Sequence, residues 1–227
     1  MRSKKNTVAR PTPKMDRRWE RTRAALLNAG RTLFASRDVE GVTVDQIVAT
    51  AEVAKGSFYN HFVDKDVFAR EIASSVRRQA EQAVNEANAN VTDPAVQLAR
   101  ALCVFMRFAI EHRESARVLW RLNSGATMVD APINRKLRND VQEGIAQQRF
   151  KHVDLEVAAL LVMGTIIISL RHALEDRLVT PHVDIATGMA AGLLRSLGVP
   201  PAQAERLARE AAEDILTDQK STLAETK

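Results

Sequence analysis

Cys103 is the single cysteine among 227 residues. It excludes an internal disulfide and has no companions for a thiolate metal site, so a reducing compartment is the natural setting. Segments that alternate like β-strands are missing, and no internal repeat is visible. The longest near-apolar run, Val157 to Leu170, is bounded by Glu156 and Arg171, and a run of that length is too short to span a bilayer. The basic, polar N-terminus has no apolar segment behind it, so no secretory signal is read there and a cytoplasmic location is expected. Catalytic patterns are also lacking: there is no HExxH, no glycine-rich phosphate loop with a lysine, no GxSxG and no Cys/His cluster. His112, His152, His172 and His182 are scattered near expected helix ends, where surface or terminus-interacting roles are the default. No enzymatic activity, cofactor or metal is expected.

What remains is 45% apolar, ample for a globular core, and its apolar residues recur at helical spacing. Between Thr43 and Phe68, Val44, Ile47, Val48 and Ala51 fall at i, i+3, i+4 and i+7, one buried face of a short helix. Thr43 and Gln46 have the spacing of a reciprocal capping box at its start. A turn at Glu52 and Val53 leads to a second short helix, from about Lys55 to Phe62. Phe58 and Phe62 share one face of it, and Gly56 and Asn60 the opposite one. Two short helices joined by a tight turn let the first cross a phosphate backbone while the second meets base edges in the major groove. Gly56 permits close backbone approach. Lys55, Ser57, Tyr59, His61 and Lys65 supply hydrogen-bond donors for phosphate.

The run Lys55-Gly56-Ser57-Phe58-Tyr59-Asn60-His61-Phe62, followed by Asp64-Lys65-Asp66 and Phe68, closely resembles the signature of the tetracycline-repressor (TetR) family of bacterial transcriptional regulators. The resemblance covers roughly residues 24–68. It implies an all-α protein: a dimer with a three-helix DNA-binding head and a helical ligand-binding body. Carried over by position, Thr43, Lys55, Gly56, Ser57, Tyr59, Asn60, His61 and Lys65 match places that contact operator DNA in the family. Two positions depart from the pattern. Glu52 stands where glycine is common in the turn, and Ala54 replaces the usual Ser or Thr cap of the recognition helix. Both bear on affinity rather than class.

The rest of the chain extends this reading. A helix from about Asp16 to Ser36 opens the head. Asp64 caps a longer helix towards Asn88, a helical connection through which movement can be transmitted. Asp93-Pro94 opens the next helix, to about His112. Helices over about 114–122, 133–148, 154–177, 181–197 and 200–216 complete the body. The expected organisation is therefore a basic arm over 1–15, a DNA-binding domain over 16–68, a ligand-binding and dimerisation domain over 69–216 and a polar tail over 217–227.

The helix from Asp154 is apolar nearly all round, which argues for burial on several sides. With the next helix it suggests a two-fold four-helix interface through Gly164, Ile168, Gly188 and Gly192. Phe105, Phe108, Trp120, Met128, Met163 and Ile167 are the candidate lining of a pocket for a mainly apolar effector. The function expected is a homodimeric, ligand-responsive repressor of an operator. The alternatives are a regulator that activates or needs its ligand as co-repressor, and a helical protein-interaction module.

Charge is unevenly placed. Of the formal net charge of +5, residues 1–23 hold nine Lys or Arg against Asp16 and Glu20. Such an arm either attracts phosphate or is a solvated tail. Deleting residues 1–13 removes Arg2, Lys4, Lys5 and Arg10. If the arm touches phosphate, truncation weakens all DNA binding and flattens the dependence of log K on log salt by roughly 0.9 for each phosphate no longer neutralised. Equal slopes for the two proteins, in binding measured across a salt series, identify an idle tail.

Overall fold

The computed structural model describes residues 13–122, 135–175 and 179–217, with side chains from residue 17 onward. Among these residues all regular structure is helical: α1 (Pro13–Ser36), α2 (Val44–Thr50), α3 (Lys55–His61), α4 (Lys65–Ala87), α5 (Pro94–Glu111), α6 (Arg113–Arg121), α7 (Arg135–Ala146), α8 (Leu155–Ala173), α9 (His182–Ser196) and α10 (Pro201–Thr217). The chain divides into two compact units, 1–72 and 73–227, with the division inside α4.

The first unit is built on aromatic packing. Phe34, Phe58, Phe62 and Phe68 are buried, with Leu26, Val42, Ile47 and Ile72 around them. The Phe68 ring lies 4.7 Å from Phe62, 5.3 Å from Phe58 and 6.0 Å from Phe34, centroid to centroid. Such pairs add about 0.5–1.5 kcal/mol beyond the burial of the rings. Gly30 of α1 makes room for them, because a Cβ there would stand 2.4 Å from the Phe68 ring. Arg23 of α1 also pairs with Glu71 of α4.

In the second unit α5 packs against α6, α7, α8, α9 and α10, and α9 lies along α10. Leu102, Met106 and Ala109 of α5 meet a core completed by Val162, Ala190, Leu194, Ala208 and Ala212. The many alanines of α10 let it approach its neighbours closely. Gly198 ends α9 at φ +82°, where a Cβ would stand 2.5 Å from the Lys151 carbonyl oxygen, and Lys151 N–H donates to Leu197 O at 2.9 Å. Cys103 is buried, and burial pushes its thiol up to about 12, which leaves it protonated and unreactive at neutral pH.

Two expectations are corrected. α1 already includes Pro13, three residues before the expected start, and α8 stops at Ala173 rather than near Arg177. Within the protomer α8 buries Ala158, Ala159, Val162, Met163 and Leu170, while Val157, Leu160 and Ile168 are 49%, 41% and 49% exposed. At 19 residues it is also long and apolar enough to cross a membrane by length and composition, although it packs on α5, α6, α7 and α9.

Lys65 also has a role within the fold that its place in the motif does not show. Its ammonium donates to Val39 O at 2.7 Å and Val42 O at 2.8 Å, tying the α1–α2 loop to the start of α4. One N–H is left for a phosphate. Lys65→Met should therefore lower the unfolding free energy by about 1.5–3 kcal/mol, the range for hydrogen bonds from a charged donor. Urea denaturation of the two proteins measures it.

Candidate nucleic-acid interface and ligand cavity

The expected capping box is formed: Gln46 N–H donates to Thr43 Oγ1 at 3.2 Å, and Thr43 N–H to Gln46 Oε1 at 3.0 Å. The turn then runs through Glu52 at φ 55°, a left-handed conformation that suits glycine better. The short helix α3 has Ala54 as N-cap with no side-chain hydrogen bond, so no side chain serves its first N–H groups as a hydroxyl cap would. Packing compensates. Phe58 is fully buried, while Gly56, Tyr59 and Asn60 face solvent and Ser57 is half-buried. A Cβ at Gly56 would meet nothing within 4 Å, leaving an open, low surface.

Electrostatics modify the donor set. Lys55 pairs with Asp45 of α2 at 2.8 Å. The Asp45 hydrogen bond and charge hold the Lys55 ammonium above its ordinary range, so a phosphate must compete with Asp45 for it. His61, at the end of α3, lies against Trp19 of α1 at 4.6 Å between centroids. Burial, then the Arg23 charge, lower its pKa from the ordinary imidazole value. His61 is therefore mainly neutral at pH 7 and adds no cation for phosphate there. Arg17, Arg18 and Arg21 on the same part of α1 are exposed. In the sequence they read only as the end of a basic stretch, and the Trp19–His61 contact is what brings this part of α1 beside the recognition helix.

The second unit holds a cavity of about 330 Å³ with walls from α4, α5, α6, α7 and α8. Of the expected lining residues, Phe105, Trp120, Met163 and Ile167 are there. Phe108 is not. It lies a turn beyond the cavity end of α5, buried against the His112 ring at 5.2 Å. Met128 lies outside the described residues. The polar side is not among the expected lining: Arg77, Glu81 and Asn88 of α4 and its end, and Gln97 of α5, all line the space. Arg77, Glu81, Val84 and Asn88 form an i, i+4, i+7, i+11 stripe, a pattern readable from sequence once polar residues are allowed on an inward face. Of the expected interface residues, Gly164, Ile168 and Gly188 are exposed and Gly192 half-exposed. A Cβ on Gly164 or Gly188 would meet nothing within 4 Å, and one on Gly192 only Arg195 at 4.0 Å.

Residues 26–72 match the family model of bacterial regulatory proteins of the tetR family, and residues 93–210 match the tetracyclin repressor-like C-terminal domain. The chain belongs to the tetR family. This TetR-family protein is a DNA-binding transcriptional regulator, and the helix-turn-helix formed by α2 and α3 is the element that suits a DNA groove.

The regulator is 26% identical over 161 residues to the transcriptional repressor KstR2 of Mycolicibacterium smegmatis, covering 66% of this chain and 78% of that one. It is 32% identical over 75 residues to the repressor DhaR of a Mycobacterium species, covering 33% of this chain and only 38% of DhaR. Among solved structures, RolR in complex with resorcinol is 27% identical with a TM-score of 0.57, over 85% of this chain and 95% of that one. A gamma-butyrolactone receptor shares the fold at 20% identity and a TM-score of 0.63, over 88% and 98% of the two chains.

Because Tyr59 is 56% exposed and α3 lacks a capping side chain, two substitutions on this regulator should act in opposite directions. Tyr59→Ala should weaken operator binding by about 1–3 kcal/mol. Ala54→Ser should stabilise α3 and tighten binding, by about 0.5–2 kcal/mol. Fluorescence anisotropy with labelled operator reads both; unchanged affinity for Tyr59→Ala with folding intact refutes the assignment of this face to DNA.

Proposed function

We propose that the regulator is a homodimeric repressor that a small, mainly apolar molecule releases from its operator, and that Thr43, Lys55, Gly56, Ser57, Tyr59, Asn60 and His61 form the DNA-facing surface. Lys65 joins them chiefly by holding the α1–α2 loop. The protein acts in the cytoplasm, where operator DNA and effector meet.

One observation carries the reading. The same helix, α4, places Phe68 and Ile72 in the core of the first unit and Arg77, Glu81 and Val84 on the cavity wall of the second. A ligand that prefers one position of α4 thereby changes the DNA affinity through a coupling free energy. By linkage, operator DNA changes the ligand's affinity by the same factor. The named relatives DhaR and KstR2 are repressors, and RolR takes resorcinol as ligand, which supports repression and a small ring-sized effector. Binding of DNA adjoining the protein's own gene, in gel shifts with and without candidate compounds, tests the reading. A compound that binds tightly and leaves DNA affinity unchanged refutes the switch.

The exposed apolar stripe Val157, Leu160, Gly164 and Ile168 of α8, with Gly188 of α9, supports a two-fold contact between copies. Ile168→Arg leaves the protomer's core untouched and should weaken the dimer by at least about 2 kcal/mol by placing an unpaired charge in the contact. Sedimentation should show dissociation, with operator binding falling in parallel. A dimer as strong as the parent's excludes this face.

A further inference from the structure

Resting on the effector reading above, we propose that Ala101 sets the size of the effector: the recess it leaves in the α5 wall lets the cavity take an apolar body of about two fused rings, where a larger side chain would leave room for one. Volume is the first observation. The cavity measures about 330 Å³, whereas an engineered apolar cavity of about 150 Å³ takes a single benzene. One ring alone would leave about half of the space, and much of its apolar wall, to water.

The second observation locates the extra room. Pro94, Gln97, Leu98, Ala101 and Phe105 recur at i, i+3, i+4, i+7 and i+11 along α5, and all of them line the cavity. Ala101 has the smallest side chain among the described lining residues, and the larger Leu98 and Phe105 stand about one turn to either side of it. It stays part-exposed although Leu102, Cys103 and Val104, which follow it, are buried, so the free side of its methyl is the cavity. The wall cannot close up to fill this recess. Leu102 and Met106, turned away from the cavity, are fully buried, and α5 is packed against α6, α7, α8, α9 and α10. A close-packed helix of this kind relaxes only partly towards a void.

Phenol and 2-naphthol carry the same hydroxyl and differ by one fused ring. Titrated calorimetrically into the full-length protein, 2-naphthol should bind more tightly by about tenfold or more, since its second ring covers wall that phenol leaves wet. Ala101→Phe puts a ring of its own beside Phe105 and should bring the two affinities to within about twofold, with Ala101→Leu in between. The two compounds differ in hydrophobicity by the same amount whichever variant they meet, so a change in their affinity ratio belongs to the cavity. If Ala101→Phe does not fold, the fall in the ratio is read from Ala101→Leu. Equal binding of the two compounds to the parent protein, binding of neither, or a ratio that keeps the parent's value in a folded variant overturns the proposal. If 2-naphthol gives the expected ratios and leaves operator affinity unchanged, the size assignment stands and the effector reading falls. If another compound releases the operator while the ratio does not respond to Ala101, the effector reading stands and this one falls.

Discussion

The position of the recognition helix depends on one packing constraint, the burial of Phe58 and Phe62 against Phe68 and Phe34 in the space left by Gly30. A seven-residue helix with no side-chain cap has almost no stability of its own, since nucleation is costly and too few hydrogen bonds follow it. Each buried Phe contributes about 1.5–3 kcal/mol through burial alone. The aromatic core therefore both stabilises the first unit and holds Tyr59, Asn60 and Gly56 outward. The strained backbone at Glu52 and the missing cap at Ala54 are tolerated because packing, not local propensity, sets the geometry.

Polar groups around that core divide between scaffold and recognition. Lys65 is turned into the scaffold by two carbonyls of the α1–α2 loop, although its place in the motif reads as phosphate-binding. Lys55 stays outside but is shared with Asp45, which lowers the net field offered to DNA and leaves more of the recognition to uncharged donors. His61 rests on Trp19, half withdrawn from solvent.

The second unit follows a different rule. Its core is closed by small residues on α9 and α10, whereas α8 turns one apolar face to α5 and leaves another outside. Beside it lies a cavity whose apolar wall comes from α5 and α8 and whose polar edge comes from α4 and α7.

The all-helical class, the helix-turn-helix and the family resemblance were legible in the residues, because helical periodicity, the Thr43 capping box and the Asp93-Pro94 start are local features that act within a few residues of the chain. Phe105, Trp120, Met163 and Ile167 were legible as a group for the same reason, as large apolar side chains on helices. Tertiary structure decided the rest. That Lys65 donates to two carbonyls 23 and 26 residues away, that Phe108 fills the core and does not line the cavity, and which side of α8 is covered depend on which segments arrive as neighbours. Apolar periodicity shows that a face is buried or covered, but it carries no mark of the partner. The polar stripe of Arg77, Glu81 and Asn88 was not legible as a wall, because polar residues read as solvent-facing until neighbouring helices build a pocket along them.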